Sequence, residues 1–189
     1  VMARELTKID GTLARIEEMF ATRGDNKYSE AVTQREHALQ AAQLAAEAGS
    51  TSALITAALL HDIGHLLQRF GEEPAARGID DKHEDIGAGW LAKYFTPDVV
   101  EPVRLHVDAK RYLCAIEPEY FNTLSPASAR SMELQGGAMS SDEASLFESG
   151  PHFAAAIALR RWDEGAKVPQ AATPTLECFR GHIRASALG

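Results

Sequence analysis

Cysteine is scarce in this chain, with only Cys114 and Cys178 among 189 residues. Two thiols in a chain this long cannot make a disulfide framework, so the fold must rest on an apolar core, and a reducing compartment is expected. Long hydrophobic runs are missing as well. The apolar stretch Ile55 to Leu60 is interrupted by Thr56, and no run comes near the roughly 20 apolar residues that a membrane span needs. The sequence does not open on a basic stretch followed by an apolar core and a small-residue cleavage site, so the cytoplasm is the expected location. Basic residues are outnumbered, 19 against 27 acidic, for a net charge of -8. Nucleic acid is therefore not an expected partner, and any phosphate-like ligand must meet a local cationic site. Alternating apolar and polar stretches rich in β-branched residues are nearly absent, which argues against strands.

What is abundant is helical punctuation. Leu6, Ile9, Leu13, Ile16 and Phe20 recur at three- and four-residue spacing and predict an amphipathic first helix. A second, Ala-rich helix is expected from Glu30 to Glu47, ending at Gly49, which accepts a left-handed backbone. Ser50, Thr51 or Ser52 then caps a helix over 53–70, apolar nearly all round as far as His61 and hence central. The polar stretch 72–81 reads as a surface loop, followed by a helix over 82–94. Thr96-Pro97 restarts helix, and Pro102 should kink or reset it before His106. Further starts are expected at Ser125-Pro126, at the Ser140 to Glu143 capping box, at Pro151 and at Thr173-Pro174. One all-α domain over 1–189 is the simplest organisation.

The chemistry-bearing residues lie inside these helices. His61 and Asp62 stand side by side at the end of the apolar helix, and both are costly to bury unpaired. A hydrogen-bonded core pair would explain them, and so would a divalent metal held by imidazole and carboxylate. His37, His61, His83 and His106 fall on four successive candidate helices, as inward-facing ligands of a bundle would, and Asp163 follows late in the chain. Six such ligands suggest two metals.

The order of His37, His61-Asp62, His83, His106 and Asp163 resembles the HD-domain superfamily, in particular its binuclear branch. The segments Gln34 to Gln40, His106 to Leu113, Leu124 to Ser128, Gln135 to Gly137 and Arg160 to Glu164 are similar to the HD-domain oxygenases that degrade organophosphonates. That resemblance runs over about 28–167 and implies a helical-bundle HD domain with its core there, a buried dimetal site holding two iron ions (Fe2+/Fe3+) and oxygen-dependent cleavage of a carbon–phosphorus bond. Asp62 would bridge the irons, with His37, His61 and Asp163 on one and His83 and His106 on the other. Catalytic roles fall to Asp62 and to His65, which lies four residues after His61 and would hydrogen-bond substrate or a neighbouring ligand.

The partners implied are O2, a small zwitterionic phosphonate and an upstream hydroxylase that supplies it. Lys110 and Arg160, with Ser128 and Gln135, match the phosphonate end; solvated cations and helix capping are the competing explanations. Tyr28 and Glu30 match a tyrosine and a glutamate that guard the site, although one residue, Ser29, separates them where relatives have two. This altered spacing and the extra acid Asp108 favour a trimethylammonium substrate, 1-hydroxy-2-(trimethylammonio)ethylphosphonate, giving glycine betaine and phosphate. Tyr28, Tyr112, Phe70 and Trp90 are candidate aromatic faces for its cation. The primary-ammonium analogue, giving glycine and phosphate, is the alternative substrate. A metal-dependent HD phosphohydrolase acting on a phosphate ester is the alternative reaction.

Overall fold

The computed structural model describes residues 7–27, 32–68, 78 and 80–188. Tyr28, Glu30 and Phe70 lie outside the described residues. The first element, α1 (Lys8–Arg23), is set by Thr7 and Asp10, which cap each other's backbone N–H, and it buries Leu13, Ile16 and Phe20. In α2 (Gln34–Glu47) a second capping box, Thr33 with Glu36, fixes a start four residues later than the composition suggested. The helix ends before Gly49, whose φ of 69° is the left-handed turn a glycine accepts without strain.

Thr51 caps α3 (Ser52–Leu60), the most apolar helix, with Ile55 to Leu60 all buried. The expected continuous helix over 53–70 does not form. The helical run breaks at His61-Asp62 and resumes as α4 (Ile63–Leu67), with Asp62 at φ -100° and ψ 14°. Each member of the broken turn has a local bond in place of the ladder: His61 Nδ1 faces the Ala58 carbonyl at 2.8 Å, and the His65 N–H donates to the Asp62 carbonyl at 3.0 Å. The break reorients two adjacent side chains that a regular helix would hold about 100° apart.

Next come α5 (His83–Leu91) and α6 (Pro97–Ile116). Pro102 does not divide α6, contrary to expectation. The ring removes only one backbone bond near the helix start, and Asp98, four residues earlier, is exposed, so water can serve its carbonyl. A 3-10 turn (Tyr120–Thr123), α7 (Pro126–Leu134), α8 (Ser141–Glu148), α9 (Phe153–Gly165), a second 3-10 turn (Leu176–Phe179) and α10 (Arg180–Ala185) complete the chain. Among the described residues no strand forms, only two isolated bridges. The central α3 packs against α2, α6, α9 and α10, while α6 also packs on α5 and α9. Each fully buried leucine or isoleucine of this core contributes about 1.5–3 kcal/mol. The polar ends of α2, α3, α5, α6 and α9 are thereby drawn to one place.

Candidate metal centre

His37 from α2, His61 and Asp62 from the α3–α4 break, His83 from α5, His106 from α6 and Asp163 from α9 are all buried and meet. Their ring tautomers follow from what lies behind each Nδ1. His37 Nδ1 faces the Ala166 carbonyl at 2.8 Å, His61 Nδ1 the Ala58 carbonyl at 2.8 Å, and His106 Nδ1 the Val103 carbonyl at 2.6 Å. His83 Nδ1 faces the Asp81 carboxylate at 2.9 Å. A carbonyl or carboxylate only accepts, so in every ring Nδ1 carries the hydrogen and a neutral imidazole presents a bare lone pair at Nε2. Those lone pairs point at one another, with His37 Nε2 3.0 Å from His61 Nε2 and His83 Nε2 3.1 Å from His106 Nε2. Paired lone pairs repel unless a proton or a metal ion sits between them.

Asp62 divides its two oxygens between the histidine pairs. Its Oδ2 lies 3.5 Å from Nε2 of both His37 and His61, and its Oδ1 lies 3.4 Å from His83 Nε2 and 3.6 Å from His106 Nε2. Asp163 Oδ1 faces the first pair, 3.3 Å from His37 and 3.9 Å from His61. Two groups therefore offer donor atoms within 4.8 Å of one another: His37, His61 and Asp163, and Asp62, His65 and His83. The second group brings in His65, whose ring stacks on His83 at 4.1 Å.

The charge states suit a cation. Burial resists ionisation of Asp62, but His61, His65, His83 and His37 outweigh it and hold the carboxyl below the usual range. Burial likewise opposes the Asp163 anion, and Arg160 and Lys167 overcome it. Burial lowers His61, and it pulls His106 to about 3 with help from the neighbouring His83. His83 itself is raised to about 9 because its bond to Asp81 and the Asp62 charge outweigh burial, so without a metal this ring carries a second proton that a metal ion would displace. Anionic carboxylates beside bare imidazole nitrogens form a mixed oxygen and nitrogen donor set, which fits iron, manganese or zinc.

A cationic patch adjoins this cluster through Asp163. Lys110 is 2% exposed and donates to Ser131 Oγ at 2.9 Å and to the Gln135 side-chain carbonyl. Arg160 donates to the Tyr120 hydroxyl at 2.9 Å and pairs with Asp163 and Glu164. Lys167 donates to Ser128 Oγ at 3.2 Å and pairs with Glu164 at 2.9 Å. Burial and the positive Arg160 lower the Lys110 ammonium to about 8, as expected where cations gather around a position for an anion.

Sequence reasoning missed Asp81, Lys167, Ser131 and Tyr120. Lys167 and Ser131 carry a weak signal, four residues after Asp163 and three after Ser128; Asp81 ends the polar stretch 72–81 that reads as a surface loop, yet it is buried. Asp108 has a partner outside the cluster. Two residues from His106, it lies about 200° around the helix from that ring, and its half-exposed carboxylate pairs with Arg111 at 3.2 Å. Two of the proposed aromatic faces also have partners of their own: the Tyr112 hydroxyl donates to Glu148 at 2.5 Å amid Phe147 and Phe153, and Trp90 packs on Tyr94.

Comparison with known proteins agrees with this arrangement. Residues 35–144 match the HD domain model. A hydroxymethylphosphonate dioxygenase of Gimesia maris is 48% identical over 167 residues, 88% of this chain and 83% of its own length. A glycine-betaine-forming [1-hydroxy-2-(trimethylamino)ethyl]phosphonate dioxygenase of Leisingera caerulea is 45% identical over 157 residues, 82% of this chain and 80% of its own. An uncharacterized protein of Acanthamoeba polyphaga mimivirus is 37% identical over 172 residues, 89% and 77% of the two lengths. No described helix is long and apolar enough to cross a membrane. An all-helical chain whose buried histidines and aspartates meet beside a cationic patch, and which is this similar to two phosphonate dioxygenases, belongs to the HD-domain family, among its organophosphonate oxygenases.

Proposed function

We propose that the protein uses O2 to cleave the carbon–phosphorus bond of a small α-hydroxyphosphonate, with two irons in its buried cluster. The observation that carries this reading is the adjacency of two unlike sites that share Asp163: lone pairs converging from four imidazoles, and the cations Lys110, Arg160 and Lys167. His37, His61 and Asp163 would hold one iron, His83 and His106 the other, and Asp62 would span them. Bound there, iron would activate O2 and draw electrons from the carbinol carbon.

The chain's own residues do the rest. Lys110 and Arg160 neutralise and orient the phosphonate, helped by Ser128 and Gln135, and this keeps the carbinol beside Asp62. His65, hydrogen-bonded through Nδ1 to Asp81 at 2.9 Å, presents the other ring nitrogen as an acceptor for the substrate hydroxyl. For a substrate R–CH(OH)–PO3 the balance is one O2 consumed, with the carboxylic acid of R and phosphate formed.

At the R group the described residues support hydroxymethylphosphonate, where R is hydrogen and the acid is formate. Asp108, Tyr112 and Trp90, the described candidates for an ammonium pocket, are engaged elsewhere. The trimethylammonio substrate is the second reading, supported by the Tyr28-to-Glu30 spacing; the relatives' 48% and 45% identities do not separate the two. Purified protein reconstituted anaerobically with iron should release phosphate from an α-hydroxyphosphonate only when O2 is admitted. Hydroxymethylphosphonate should be turned over more efficiently than its ammonio and trimethylammonio analogues, and preference for the latter would select the second reading. Oxygen-independent hydrolysis of a phosphate ester would replace the oxygenase with a phosphohydrolase.

A further inference from the structure

Asp81 uses both oxygens of one buried carboxylate on two different rings: Oδ1 lies 2.9 Å from His83 Nδ1 and Oδ2 lies 2.9 Å from His65 Nδ1. The two imidazoles are stacked, 4.1 Å apart and only 19° from parallel, so each ring also limits the other's tilt. The backbone is arranged to make this possible. Lys82, between Asp81 and His83, is a non-glycine residue at φ 47°, a left-handed conformation that folds the carboxylate back beside the ring two residues on. The Gln68 side chain donates to the Asp81 carbonyl at 2.8 Å and fixes the preceding peptide. A Cβ on Gly64 would stand 2.0 Å from the His83 carbonyl oxygen, so glycine alone lets α4, with His65, approach α5, with His83, this closely.

We propose that Asp81 is a positioning residue that clamps His65 and His83 in one orientation and one tautomer. With both Nδ1–H groups committed to the carboxylate, Nε2 is the nitrogen left to each ring for ligation: that of His83, 3.4 Å from Asp62, for the second metal, that of His65 for substrate or the same metal. The clamp makes the second metal position depend on a residue that donates no ligand to it, while the position formed by His37, His61 and Asp163 relies on the backbone carbonyls of Ala166 and Ala58 for ring orientation. The inference rests on the dimetal reading above.

The test titrates metal-free protein with cobalt and then zinc against a competing chelator, for wild type, Asp81→Asn and Asp81→Glu. Asparagine keeps the size but offers one acceptor for two N–H groups. Wild type should bind two ions per chain; Asp81→Asn should keep one affinity and weaken the other about 10- to 100-fold, and Asp81→Glu should recover part of it. Circular dichroism melting of the metal-free proteins separates this from misfolding. Should Asp81→Asn fail to fold, the zinc-loaded wild type still decides, because its nitrogen-15 spectrum must show Nδ1-protonated His65 and His83 with slowly exchanging hydrogens. Two unchanged affinities in a folded Asp81→Asn variant, or Nε2-protonated rings, overturn the clamp alone. One ion per wild-type chain overturns the dimetal reading and the clamp with it.

Discussion

Replacing Lys110 by Met should raise stability while lowering activity. The Lys110 side chain lies in a site where burial and Arg160 reduce its affinity for a proton from an ordinary 10.5 to about 8. That fall means that holding the ammonium, rather than the free amine, costs the fold on the order of 3 kcal/mol at neutral pH. Methionine keeps the unbranched stem and removes the charge. It leaves Ser131 and Gln135 without their donor, at about 1 kcal/mol each, so the variant should be more stable than wild type by about 1 kcal/mol at pH 7. The sign depends on pH. Because the folded-state value is depressed, wild type carries the full penalty below pH 8 and sheds it as pH rises toward 10.5, where the unfolded chain still binds the proton. The variant's advantage should therefore shrink and reverse over that window. Losing one charged partner of the phosphonate should lower kcat/KM about 10²- to 10³-fold. Chemical denaturation of both proteins from pH 7 to 10, with phosphate release alongside, measures each part. A variant destabilised by more than about 1 kcal/mol at pH 7, or a gap that does not change with pH, would refute the reasoning.

Asp62→Ala should abolish phosphate release and the magnetic coupling of the two irons, since only Asp62 turns one oxygen to each histidine pair; substantial O2-dependent turnover in this variant would remove Asp62 from the bridging role. Gly64→Ala should cost about 1–3 kcal/mol by forcing α4 off the His83 backbone. Gly87→Ala, whose Cβ would meet Gly64 N at 3.3 Å, needs a shift of only a few tenths of an ångström and should cost less. Equal melting temperatures for the two variants would show that the α4–α5 approach is not constrained as described.

Local sequence determined most of the helices and their ends. Thr51, Ser125 and the Ser140-Glu143 box cap where expected because a cap needs only residues three positions apart, and the apolar run before His61 became the central helix because nothing polar could hold it at the surface. The histidines and aspartates that meet at the cluster were also legible, from their order and their placement within apolar helices. Tertiary structure decided how they meet. The helix break at His61-Asp62 is favoured because it aims both side chains at partners on four other helices, an effect no local periodicity carries. The same distance hides what orients the cluster: the carbonyl that fixes His37 comes from Ala166, 129 residues away. Asp81 and Asp108 show the limit most plainly. Both are acids two residues from a cluster histidine, yet the left-handed Lys82 folds Asp81 inward onto two rings while the regular turn of α6 carries Asp108 outward to Arg111. Composition and spacing treat the two alike, and only the backbone path, set by packing against the rest of the chain, separates them.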